Sequence, residues 1–407
     1  MIKSKTVSWN PPAAGALWVM ALLALVAAAP DSCFGLGFRI PNQDPVAISR
    51  GNAFVATADN PSAIYYNPAG ITQLSGQDAQ VNTLFYLDID ADYESFSGTR
   101  VENNPEIIPV PSFYYTCTPD QSRFSFGLGV YAPFGLSIKW PETAPFSSYG
   151  MAAKVTYITA NPVVAYKLCD TLSLAIGPTI NYSKAKLRTA PGGPGTEFLF
   201  TGDNVGYGFT AGLLWQPDPK WSFGASYRSE SSIDYKGTAF FSPSPPLPPR
   251  FPSSASLNTP QVAIVGVSYR PTPNWNFEVN VDWADWETFK QVTITGVTTI
   301  PFDWHSSFFY EAGATRYFKG GWFASAGYFF SQNSTSDRFY NPVVPDGDIH
   351  VATFGFGRTY EHWRWAVSGE VIAGTWNNVN NHAVDPSVNG RYRLFSPTVA
   401  VSVGYRF

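Results

Sequence analysis

From residue 79 to the terminal Phe407 the chain is built of runs in which apolar and polar residues alternate. Successive side chains of an extended strand point to opposite faces, so a period of two marks strands with one apolar and one polar side. Fourteen such runs fall at 79–90, 108–117, 123–132, 154–168, 171–187, 205–216, 220–234, 259–270, 274–289, 305–317, 322–330, 350–360, 363–374 and 395–407. The connections alternate in length: 91–107, 133–153, 188–204, 235–258, 290–304, 331–349 and 375–394 are long, whereas 118–122, 169–170, 217–219, 271–273, 318–321 and 361–362 are short. Long loops at one end and tight turns at the other are the asymmetry of an antiparallel barrel in an outer membrane, with the short turns in the periplasm. The last run has the cleanest register. Val399, Val401, Val403, Tyr405 and Phe407 share the face assigned to lipid, and Ala400, Ser402, Gly404 and Arg406 the face assigned to the lumen. In the same way Trp221, Phe223, Ala225 and Tyr227 oppose Ser222, Gly224, Ser226 and Arg228, and Phe277, Val279 and Val281 oppose Glu278, Asn280 and Asp282.

One stretch breaks the pattern. Leu36 to Gly76 is rich in small residues, carries four prolines and does not alternate. We read 36–78 as a plug, or hatch, containing short helices, inside an all-β barrel of fourteen antiparallel transmembrane strands at 79–407. An even strand number leaves both barrel ends on the periplasmic side, where the hatch enters. Residues 1–35 have the form of a secretory signal peptide, with Lys3 and Lys5 before the uncharged run Ala13–Ala29 and cleavage expected after Gly35. Cys33 lacks the preceding aliphatic residue of a lipidation site.

Composition agrees with this compartment. Aromatic residues make up 16% and charged residues only 14%, where soluble proteins carry about a quarter charged. Mean hydropathy is nonetheless close to zero, as alternation requires and as a bundle of membrane helices would not allow. Trp221, Trp275, Trp363 and Trp365 stand at the turn ends of their strands, the position of an interfacial aromatic girdle. Cys117 and Cys169 lie beside expected periplasmic turns and are read as free thiols, although the compartment permits a disulfide. A net charge of -4 points to no nucleic acid. Pro-rich 242–254 is expected as a surface loop, since proline offers no ladder donor.

Catalytic and metal chemistry find no foothold. The four histidines stand with no serine and carboxylate pattern, no G-x-S-x-G is present, and no His/Cys/Asp cluster has metal-ligand spacing. Glu278 and Asp282 share a face but lie about 13 Å apart along a strand, too far for an acid/base pair. Neither an enzyme nor a cofactor is expected. An open porin would carry no plug. A structural or adhesive barrel remains an alternative, distinguished by a lumen with no through path.

The hatch run SRGNAFVATADNPSAIYYNPAG, with Asn67, Pro68, Ala69 and Gly70 as its most distinctive part, resembles the N-terminal hatch of the FadL/TodX (OMPP1) family of outer-membrane channels for long-chain fatty acids and hydrophobic compounds. Ser173–Arg188, Ala211–Gly237, Trp275–Val292 and Pro345–His350 extend the resemblance over most of the chain. It implies passive uptake of a fatty acid or, alternatively, an aromatic hydrocarbon, with sideways release beside a kinked strand. It also implies a monomer among outer-membrane lipid and lipopolysaccharide, with Phe407 as the signal for the barrel-assembly machinery. Candidate pocket residues are Leu36, Phe38 and Ile40, with simple hatch packing as the alternative. Arg228 and His305 face the lumen by register and are candidates for a carboxylate, with pairing to lumenal Glu278, Asp282 or Glu311 as the alternative for Arg228. The resemblance places Arg188 near the ligand with Lys184 and Lys186, whereas alternation puts all three on the outer face. Gly127 and Gly129 are candidates for the wall opening, with simple barrel packing as the alternative.

Overall fold

The computed structural model describes residues 37–243 and 249–407. The expected signal peptide and Leu36 lie outside the described residues. Fourteen antiparallel strands close into a barrel: β1 (Gly76–Tyr86, continued by Asp90–Glu94), β2 (Ile108–Thr118), β3 (Phe124–Tyr131 and, after a break, Gly135–Lys139), β4 (Ala152–Cys169), β5 (Leu172–Thr189), β6 (Glu197–Trp215), β7 (Trp221–Arg228 and Ser231–Ser242), β8 (Arg250–Thr259 and Val262–Thr272), β9 (Trp275–Ala284), β10 (Ser307–Tyr317), β11 (Trp322–Ser331), β12 (Ile349–Tyr360), β13 (Trp363–Gly374) and β14 (Gly390–Arg406). The ladder from Asp78↔Arg406 to Tyr86↔Thr398 joins β1 to β14 and closes the barrel. No helix among the described residues is long and apolar enough to cross a membrane.

Side chains follow the expected register. On β14, Val401 and Val403 are exposed on the outer wall while Ala400, Ser402 and Gly404 are buried; on β9, Val279 and Val281 face out and Glu278, Asn280 and Asp282 face in. Cys117 and Cys169 are free thiols. Several strands run further outward than alternation suggested, notably β6 and β14, because above the lipid a strand needs a ladder partner but no longer an apolar face.

The Pro-rich expectation requires a correction. Arg250–Thr259 is a strand, and Pro252 sits within it opposite Thr238. On its other side this segment meets only a loop hairpin, through Ala255↔Ile294. It is an edge over most of its length, where a missing proline N–H forfeits no ladder bond.

The chain from Gly37 to Leu74 lies inside the barrel. Helix α1 (Pro45–Ile48) is capped by Asp44, whose carboxylate accepts from Val46 N–H at 2.7 Å. Helix α2 (Ala63–Tyr66) leads to Asn67, which caps the 3-10 turn Pro68–Gln73. These elements are too short to persist alone; the lumen holds them. Asn67 donates to Val55 O (2.8 Å) and to Leu213 O of β6 (2.9 Å), fixing the turn to the wall. Lumenal glycines allow that approach: a Cβ on Gly224 would strike the Val55 carbonyl, and one on Gly327 the backbone of Arg50 and Gly51. Buried charges pair across the same boundary. Arg39 meets Asp282 at 2.6 Å and Arg50 lies 3.7 Å from Glu278.

Candidate binding site

Two features define the site, an interruption in the wall and a cavity above the hatch. The interruption lies between β2 and β3. Their ladder runs from Cys117↔Phe126 up to Phe113↔Val130 and stops. Beyond it β3 breaks over Ala132–Phe134 and resumes on β4 with a one-residue shift, from Tyr131↔Thr159 to Gly135↔Thr156. Pro109, Pro111 and Pro133 border the gap, and none offers an N–H to bridge it.

The hatch closes this gap with its own backbone and one amide side chain. Arg39 bridges Phe134, Ile40 N–H donates to Pro133 O (2.8 Å), and Gly135 N–H donates to Phe38 O (2.8 Å). The Gln43 side chain donates to Ala132 O at 2.8 Å, while the Gln43 backbone carbonyl accepts from Ser112 Oγ of β2 at 3.2 Å. Gln43 therefore ties both edges of the opening. The Asp282 carboxylate, 2.6 Å away on β9, fixes the Arg39 guanidinium beside this closure.

Above the hatch is a cavity with about 680 Å³ of atom-free space, its mouth included. Its wall is formed by the outer halves of β3 to β8 and two long loops, with Phe38, Leu136, Val155, Phe200, Leu257 and Val343 among the lining. Phe38 forms the junction with the gap. Its ring sits in a box made by Trp286 (4.8 Å between centroids), Phe289 (5.5 Å), Phe134 (5.8 Å) and Trp304 (5.9 Å). Leu136, just past the break in β3, lines the cavity beside it.

The sequence candidates separate. Phe38 lines the cavity, whereas Ile40 is buried where the hatch meets β3. Asn67, Pro68, Ala69 and Gly70 form the turn that anchors the hatch. Gly127 and Gly129 pack on Ile64, where an added Cβ would lie 2.7 and 2.9 Å from its side chain, below the break itself. Arg228 faces inward and donates to Tyr131 Oη at 3.0 Å, with its guanidinium over Tyr65 (5.0 Å) and Tyr131. The hatch arginines occupy Asp282 and Glu278, so among the described residues Arg228 makes no ion pair. The inward reading of His305 is corrected: the chain enters the sheet only at Ser307, and His305 is exposed in the preceding loop. The β4–β5 ladder is unbroken from Ala152↔Arg188 to Ala160↔Ile180. Lys184 and Lys186 accordingly project outward, and Arg188 is held by Glu197 (2.7 Å) and Glu142 (3.3 Å). Sequence reasoning missed Gln43 and the lining from β4 to β8, whose members read simply as the inner face of their strands.

A fourteen-stranded barrel closed by an internal hatch, with an apolar cavity against a break in its wall, defines an outer-membrane channel for hydrophobic compounds. The chain belongs to the outer membrane protein transport protein (OMPP1/FadL/TodX) family, whose model matches residues 26–367. It is 23% identical over 378 residues to the long-chain fatty acid transport protein of Escherichia coli O6:H1, covering 81% of this chain and 84% of that one. A Pseudomonas aeruginosa FadL homologue superposes with a TM-score of 0.81 at 19% identity, over 91% of this chain and all of the other. The Ralstonia pickettii toluene transporter TbuX superposes at 0.67 and 14% identity, over 89% and 98%.

Proposed function

We propose that this protein admits long-chain fatty acids passively, binds them in the cavity above the hatch, and releases them sideways into the membrane through the gap between β2 and β3. Phe38 carries the argument, because its ring lines the cavity while its carbonyl holds Gly135 at the break. A ligand that displaces this one residue breaks the Gly135 contact at the gap in the same step. The driving force is burial of apolar surface, worth about 25 cal/mol per Å², with no catalytic step. The same reading makes the protein a monomer among lipid and lipopolysaccharide, with Phe407 serving barrel assembly.

Aromatic hydrocarbons are the second reading. The cavity lining holds no cation apart from Lys186, whose position in the ladder is on the outer face. Transfer of labelled oleate and toluene into liposomes carrying the protein tests both. Saturable oleate transfer, lost on cross-linking Gln43→Cys to Ser112→Cys and restored by reduction, is expected. Toluene transfer without oleate moves the substrate to the hydrocarbons, and free passage of small sugars overturns the plugged channel.

A further inference from the structure

Within an almost wholly apolar lining, one buried polar group has no partner among the described residues. Asn341, in the loop between β11 and β12, lines the cavity and is 2% exposed. Its Oδ1 accepts from Val343 N–H at 3.2 Å and its carbonyl from Val344 N–H at 2.9 Å. The loop is pinned by Trp140 Nε1, which donates to Pro342 O at 2.8 Å. Gly150 leaves the room required, since a Cβ there would stand 2.6 Å from Asn341 Oδ1. The Oδ1 contact fixes which way the amide points, and it turns Nδ2 into a position where no acceptor exists among the described residues. The one hydroxyl of the lining is committed, because Tyr235 Oη lies 2.8 Å from Ser183 Oγ.

Buried donors left unmet are costly and rare in folded proteins. A donor held on a residue that lines an apolar cavity is an arrangement by which such sites orient a ligand. We infer that Asn341 Nδ2 binds the oxygen of the transported molecule, and that the preferred ligand is a long apolar chain ending in a neutral oxygen acceptor, namely an ester, a ketone, an alcohol or an undissociated acid. An ionised carboxylate fits this point less well, because an amide N–H does not neutralise a charge removed from water. This rests on the transport reading above and adds the chemistry of the ligand's end.

The test compares methyl laurate with pentadecane, which have the same number of heavy atoms but only one of which has an acceptor. Binding to the full protein in lipid nanodiscs is followed by tryptophan fluorescence, against empty discs. Asn341→Leu and Asn341→Ala both remove the donor, the first with little change of volume; heat-modifiable migration confirms a folded barrel. The expected result is methyl laurate binding about tenfold weaker in either folded variant, with pentadecane unchanged within about twofold. Unchanged ester binding, or a parallel loss of both ligands, overturns the assignment. If the wild type binds neither probe, the transport reading fails first, and that failure is visible before any variant is made.

Discussion

Replacing Arg39 by methionine is the sharpest probe of how the hatch is held. Arg39 and Asp282 are 4% and 1% exposed, and their atoms meet at 2.6 Å. The guanidinium also stands 5.1 Å from the Phe309 ring. Removing one member of such a pair strands the other charge away from water, which costs about 3–5 kcal/mol. The barrel ladder does not depend on this contact, so the loss falls on seating of the hatch. At about 1.4 kcal/mol per factor of ten, the hatch should open roughly 10²- to 4 × 10³-fold more often. Two amides report it directly, Ile40 N–H to Pro133 O and Gly135 N–H to Phe38 O, both 2.8 Å. Hydrogen exchange by mass spectrometry in nanodiscs should show faster exchange in peptides covering 38–44 and 133–137, with β9 to β12 unchanged. The double variant Arg39→Met with Asp282→Leu should return exchange close to wild type, since an apolar pair replaces the ion pair without an orphaned charge. Exchange within about fivefold of wild type in the single variant, or a double variant as loose as the single, refutes the reasoning.

Three further outcomes follow from the same structure. Gly327→Ala drives a methyl group into the backbone of Arg50 and Gly51; proteolysis within 37–74 should rise sharply while the barrel remains heat-modifiable. Val401→Arg places a charge on the lipid face, costing about 2–4 kcal/mol near the midplane, whereas Val401→Ile should change urea unfolding in liposomes by less than about 1 kcal/mol. His382 packs on Tyr149, accepts from Asp385 N–H at Nδ1 (2.9 Å), and is held below its ordinary basicity by burial. The open loop then binds a proton that the closed loop excludes, so loop stability is full above about pH 6.5 and is lost as pH falls through the lowered folded value. Exchange at Ser387 N–H should rise over that range beyond its intrinsic trend, and His382→Gln should abolish the dependence.

How much of this was legible beforehand depends on whether a property is local or shared between distant segments. Period-two alternation is local, because each strand must satisfy lipid on one side and the lumen on the other along its own length. Strand number, order and facing could therefore be read from residue types alone, and the non-alternating run 36–76 stood out as something enclosed. The fate of lumenal charges could not. Arg228 and Asp282 both face inward by register, yet Asp282 is taken by Arg39, 243 positions away in the chain, because the hatch brings its own cations. His305 failed for a related reason: register holds only while the chain stays in the sheet, and the sheet there begins two residues later. The wall opening, the Gln43 tie and the unmet amide of Asn341 depend on which ladders stop and which loops fold over the cavity. Alternation along one strand thus determined the barrel and its plug, while contacts between hatch, wall and loops, which no single segment encodes, decided where a ligand sits and how it leaves.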